Sequence, residues 1–133
     1  MGKVNCLIVE DNETKRNSIS KVIEQIFPDN ITITVEECVN GALNTLFKNK
    51  FDVVFLDMQL PRFKEGNRIC LYGGREILDE MERKKSNTPV ILISSDENSA
   101  KCEKECINCV KFINSSQANW QEVLQKTILF ISY

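Results

Sequence analysis

Residues 52–61 read DVVFLDMQLP. Val53, Val54, Phe55 and Leu56 run without polar alternation, so both faces of this segment are apolar. That is the pattern of an internal strand in a parallel sheet covered on both sides. Asp57 ends the run with a charge at the strand's carboxyl end. Working outward, residues 4–10 form a similar run that closes on Glu10-Asp11, and residues 89–94 form a third that closes on Ser94-Ser95. Two further strands are predicted at 31–36, rich in β-branched residues, and at 109–113.

Helical periodicity fills the gaps between these strands. Ile19, Val22, Ile23 and Ile26 form one apolar stripe within residues 12–27, and Pro28-Asp29-Asn30 closes that helix as a turn. Asn40 is the predicted cap of a second helix whose stripe is Ala42, Leu43, Leu46 and Phe47. After a loop over 58–73, residues 74–84 present Ile77, Leu78 and Met81. Residues 98–107 predict a short polar helix with Asn108 as its left-handed cap. Residues 118–131 carry Trp120, Val123, Leu124, Ile128 and Ile131 on one side. Five strand–helix units in strict alternation predict an α/β fold, a doubly wound five-stranded parallel sheet with helices on both faces.

The whole chain, residues 1–133, is read as a single domain, a common size for one. Hydrophobic residues make up 42% and charged residues 27%, enough for a core inside an ordinary surface. With 17 basic and 19 acidic residues the net charge is −2. That balance points to neither nucleic acid nor an anionic membrane as a partner. No apolar run approaches the roughly 20 residues of a membrane span or the 7–15 of a signal-peptide core. The expectation is a cytoplasmic chain, and its six cysteines then read as free thiols.

Ligands of open parallel sheets bind beyond the carboxyl ends of the strands, where strand order reverses. With the order 2-1-3-4-5, strands one, three and four are adjacent. Glu10, Asp11, Asp57 and Ser94 then converge on one edge. Carboxylates so grouped repel one another unless a cation joins them. Mg²⁺ is the expected ion, because it is hard, takes oxygen ligands and also binds phosphate. A carboxylate can serve as nucleophile in phosphoryl transfer, a reaction that asks mainly for positioning and charge stabilisation.

At these residues the sequence resembles a known family. LIVEDN at 7–12, DVVFLDMQLP at 52–61, GGREILDEM at 73–81 and PVILISS at 89–95, with NGALNTL at 40–46, look like the successive blocks of response-regulator receiver domains. The resemblance implies a flavodoxin-like (βα)5 fold and phosphorylation on Asp57. It implies Mg²⁺ bound by Asp11 and Asp57 through carboxylates and by Gln59 through its backbone carbonyl, with Glu10 acting through a metal-bound water. It assigns Ser94 as the hydroxyl switch, the N–H groups of Met58 and Ser95 as further phosphoryl contacts, and Phe112 as the rotating aromatic. A histidine kinase or phosphotransfer protein would be the phosphodonor and a protein the downstream partner. The chain would be a signalling module rather than an enzyme. The alternative is a pseudo-receiver that binds partners without being phosphorylated.

Two departures from the family stand out. Where the family has a lysine at the end of strand five, this chain has Ser115, and Lys111 could take the place only by displacing Phe112. The loop after Asp57 is long and basic, with Arg62, Lys64, Arg68 and Arg75 near the expected phosphoryl site. Cys102, Cys106 and Cys109 form C-x3-C-x2-C, a spacing used for iron–sulfur clusters. Two of them fall on the polar helix and one enters a strand, so partly exposed free thiols are expected instead.

Overall fold

A computed structural model of the chain describes residues 3–65 and 68–132. Five strands, β1 (Val4–Val9), β2 (Ile31–Glu36), β3 (Val53–Leu56), β4 (Val90–Ser94) and β5 (Cys109–Asn114), form one sheet. All pairings are parallel and the order is β2-β1-β3-β4-β5. The helices are α1 (Glu13–Ile26), α2 (Val39–Lys48), α3 (Gly73–Arg83), α4 (Cys102–Glu105) and α5 (Trp120–Ser132). None of them is long and apolar enough to cross a membrane.

Successive side chains of a strand point to opposite faces, and here they divide the core in two. Leu7, Val9, Val54, Leu56, Val90 and Leu92 meet Val39, Ala42, Leu46, Ile77, Leu78 and Met81 of α2 and α3. Cys6, Ile8, Phe55, Ile91, Ile93 and Ile113 meet Ile19, Val22 and Ile23 of α1 and Leu124 and Ile128 of α5. This division explains why β3 and residues 90–93 of β4 are apolar on both faces. Phe55 is 1% exposed, and truncating a side chain so placed to alanine costs about 3–5 kcal/mol.

Several local expectations are corrected. The thiol of Cys38, not Asn40, caps α2 by accepting the Gly41 N–H at 3.3 Å, because the helix begins earlier and the Asn40 N–H donates to the Arg62 carbonyl. Phe47 and Ile131 are exposed; Lys84 lies over the Phe47 ring at 4.4 Å. The helix expected over 98–107 is a 3-10 segment (Glu97–Lys101) followed by the single turn of α4. Only Ser99, Cys102 and Cys106 turn inward there, too little apolar surface to hold a longer α-helix.

Asn108 is buried, and its side-chain amide donates to the carbonyls of Ser86 (2.8 Å) and Thr88 (3.0 Å). The left-handed position belongs instead to Lys85, φ 59°. Its N–H donates to Glu82 and that of Ser86 to Met81, closing α3 in a Schellman motif. Cys102, Cys106 and Cys109 are buried rather than partly exposed, and all six cysteines are free. The long loop contains a small antiparallel ribbon, Leu60–Pro61 against Ile69–Cys70, that two-residue strands leave invisible to periodicity.

Candidate functional site

β1 and β3 end level with each other: Val9 pairs with Leu56, and the Asp57 N–H donates to the Val9 carbonyl at 3.0 Å. Each strand therefore delivers its acid to the same edge. Carboxylate oxygens of Glu10, Asp11 and Asp57 all lie within 4.8 Å of one another. It is the one such group of three among the described residues. Asn12 turns the chain into α1, its side chain accepting the Lys15 N–H at 2.9 Å. Asp57 Oδ1 accepts the Met58 N–H at 2.8 Å, and the Met58 carbonyl accepts the Gly74 N–H at 2.8 Å, fixing the loop beyond the strand.

These carboxylates differ in environment. Glu10 is buried and Asp11 exposed, while the Asp57 side chain keeps 13% exposure. Burial, reinforced by the Asp57 charge, pushes the Glu10 carboxyl up to about 7. Burial also raises Asp57, against the opposing pull of Lys15 and the Met58 N–H. Glu10 Oε2 accepts the Asn12 N–H at 3.1 Å. Glu10 Oε1 is fully buried and accepts no hydrogen bond of good geometry, although the Lys15 ammonium stands 2.7 Å away. An under-satisfied buried carboxylate oxygen beside two further carboxylates is a hard-oxygen donor set, and it fits a small divalent cation such as Mg²⁺.

Glu10, Asp11, Lys15, Asp57, Gln59, Ser95 and Ser115 line one depression, together with Asn12 and Ile69. Ser94 is buried at the end of β4, its hydroxyl accepting the Asp96 N–H at 3.1 Å. Ser115 is held beside it, donating its N–H to the Ser94 carbonyl at 3.0 Å. Lys111 and Phe112 line a different depression with Trp120 and Val123. Phe112 is half-buried and packs against the core on the α2–α3 face. The basic loop residues do not gather at the site. Arg62 binds Glu76 with both contacts below 3 Å, and Arg75 pairs with Asp79 and Glu105.

One site residue escaped the sequence reading. The Lys15 ammonium lies 2.7 Å from Glu10 Oε1 and 3.3 Å from Asp57 Oδ1, and donates to the Ile93 carbonyl at 2.7 Å. The signal was available. Helical side chains tilt toward the helix N-terminus, so a lysine in the first turn after Glu10-Asp11-Asn12 reaches back over the strand ends.

Comparison with known proteins follows the same lines. The family model described as "Response regulator receiver domain" matches residues 6–113. The protein y4jR of Sinorhizobium fredii is 33% identical over 97 residues, covering 68% of this chain and 64% of its own length. This chain thus spans just under two thirds of that relative. Among solved structures, the phosphorylated cyanobacterial phytochrome response regulator RcpA superposes with a TM-score of 0.76 at 18% identity, covering 97% of this chain and 94% of that one. Response regulator TrrA of Thermotoga maritima, solved in complex with Mg²⁺ and BeF, gives 0.66 at 20% identity, covering 95% and 97%.

Proposed function

Since this chain belongs to the response regulator receiver domain family of two-component signalling, a phosphoacceptor module rather than an enzyme, we propose that it is phosphorylated on Asp57 in a Mg²⁺-dependent reaction that alters its affinity for a protein partner. The observation that carries this reading is the convergence of Glu10, Asp11 and Asp57 at the carboxyl ends of β1 and β3.

An Asp57 carboxylate oxygen attacks phosphorus and forms a new O–P bond. The bond from phosphorus to the donor breaks, and its electron pair leaves with the donor: as acetate from acetyl phosphate, or onto a ring nitrogen of a phosphohistidine, which then takes up a proton. Asp11 and Asp57 would hold Mg²⁺ through carboxylates and Gln59 through its backbone carbonyl, with Glu10 beside them. When bound, Mg²⁺ supplies positive charge for the phosphoryl oxygens. The Met58 N–H, already on Asp57 Oδ1, orients the nucleophile. The Ser95 N–H and the Ser94 hydroxyl are the proposed neutral donors to the transferred group, and a change in the Ser94 contact is the proposed signal to Phe112 on β5. In the wider reading the donor is a histidine kinase or phosphotransfer protein.

Incubation with acetyl phosphate and Mg²⁺, followed by intact-mass measurement, tests this. One phosphoryl adduct is expected, absent from Asp57→Asn and from protein in excess chelator. An adduct of the same size on Asp57→Asn would overturn the assignment. No adduct on the wild type would favour a pseudo-receiver.

A further inference from the structure

We propose that Lys15, carried on α1, is the residue that meets the phosphoryl group on Asp57 with a positive charge, a duty that β5 leaves unfilled with Ser115. The inference rests on the reading of Asp57 as phosphoacceptor and adds the cation that this reading lacks.

Three contacts hold the ammonium. It stands 2.7 Å from Glu10 Oε1 and 3.3 Å from Asp57 Oδ1, and it donates to the Ile93 carbonyl at 2.7 Å. The carbonyl is a neutral anchor at the end of β4, so this contact does not depend on the charge state of the acids. The Lys15 side chain is only 17% exposed, which strengthens its electrostatic effect on a neighbouring anion relative to a solvated lysine. An ammonium offers three donors; one is committed to Ile93, which leaves two for the oxygens of the phosphorylated Asp57.

No other cation competes for the role among the described residues. Lys15 is the one basic side chain lining the depression. Arg62 and Arg75 are engaged by Glu76, Asp79 and Glu105, and Lys111 lines the other depression with Phe112. Ser115 does line the site and offers a hydroxyl without charge. In the proposed step Lys15 balances charge and transfers no proton.

The test compares wild type, Lys15→Met, Ser115→Lys and the double variant Lys15→Met/Ser115→Lys. The readouts are the initial rate of mass gain from acetyl phosphate at saturating Mg²⁺ and the midpoint of fluoroberyllate titration followed by amide shifts. Loss of a charge-assisted contact should slow Lys15→Met by about tenfold or more and weaken fluoroberyllate binding comparably. An ammonium returned from the β5 end should recover much of both in the double variant. A purely structural lysine would lower thermal stability without moving fluoroberyllate binding, and the double variant guards against misfolding because it keeps one ammonium at the site. If Lys15→Met matches wild type in both rate and fluoroberyllate affinity, the assignment is overturned. If the wild type itself gains no mass, the reading of Asp57 fails first and this inference falls with it.

Discussion

Gly74 presses so closely on Asp57 that a Cβ at position 74 would stand 2.3 Å from the Asp57 carbonyl oxygen and 2.9 Å from the Met58 Cα. Both opposing atoms are backbone, so neither can swing aside. No glycine among the described residues has a positive φ, so the requirement here is for space and not for handedness. Gly74→Ala must push either the start of α3 or the loop carrying Asp57. Overpacking of this kind costs about 1–3 kcal/mol, measurable by urea denaturation, and phosphoryl acceptance should fall by more than stability alone explains.

The acid cluster predicts a pH dependence with a definite sign. Glu10 rises from an ordinary value of 4.5 to about 7 in the folded chain, so the folded state holds that proton more tightly than the unfolded one. Stability from this group is fully present below 4.5 and is lost as pH climbs toward 7 and beyond. Asp57, also raised, acts in the same direction. In excess chelator the wild-type Tm should fall between pH 5 and pH 8, and Glu10→Gln should flatten that slope. Mg²⁺ at 100 times its Kd should add about 2.7 kcal/mol, more visibly at pH 8 than at pH 5, where protons compete for the same oxygens. A slope unchanged in Glu10→Gln would remove this carboxyl as its source.

The two carbonyls accepting from Asn108 lie in the connection from α3 to β4. Asn108→Ala leaves them without that partner in a partly buried setting, at a cost of about 1–3 kcal/mol. Lys85→Gly should act oppositely. Relief of the left-handed backbone of Lys85, reduced by the greater freedom of glycine in the unfolded chain, is expected to add about 0.5–1 kcal/mol. Chemical denaturation of the two variants checks both signs.

Thiol reactivity should follow burial. Burial pushes the Cys6 and Cys109 thiols up to about 12, and the thiolate is the reacting form. Native protein treated with iodoacetamide at pH 8 should gain its first adduct at Cys70, half-exposed in the loop ribbon, and reach six adducts only on unfolding. Early labelling of Cys109 would reveal local opening around α4.

Legibility in the sequence tracked the length of each signal. Strands such as Val53–Leu56, apolar on both faces, and stripes such as Ile77, Leu78 and Met81 repeat a pattern over several residues, and the strand–helix alternation and the acids at the strand ends followed from them. Features set by a single contact did not. Cys38 caps α2 through one thiol, Asn108 points its amide across to another connection, and the Leu60–Pro61 ribbon has only two rungs. Lys15 carried a signal of another kind, its place in the first turn of α1 directly after the acids of β1, which competes with the ordinary solvated reading of a helical lysine.

The ammonium fixed on Ile93 also alters the charge inventory at the strand ends. With all three carboxyls ionised, the three carboxylates and one ammonium leave two negative charges, which a single divalent ion neutralises in full. A lysine added at position 115 without removing Lys15 would carry that inventory past neutrality once the ion is bound. Such a protein should hold its divalent ion more weakly than the wild type, so position 115 is less a gap awaiting repair than one side of a balance already struck from α1.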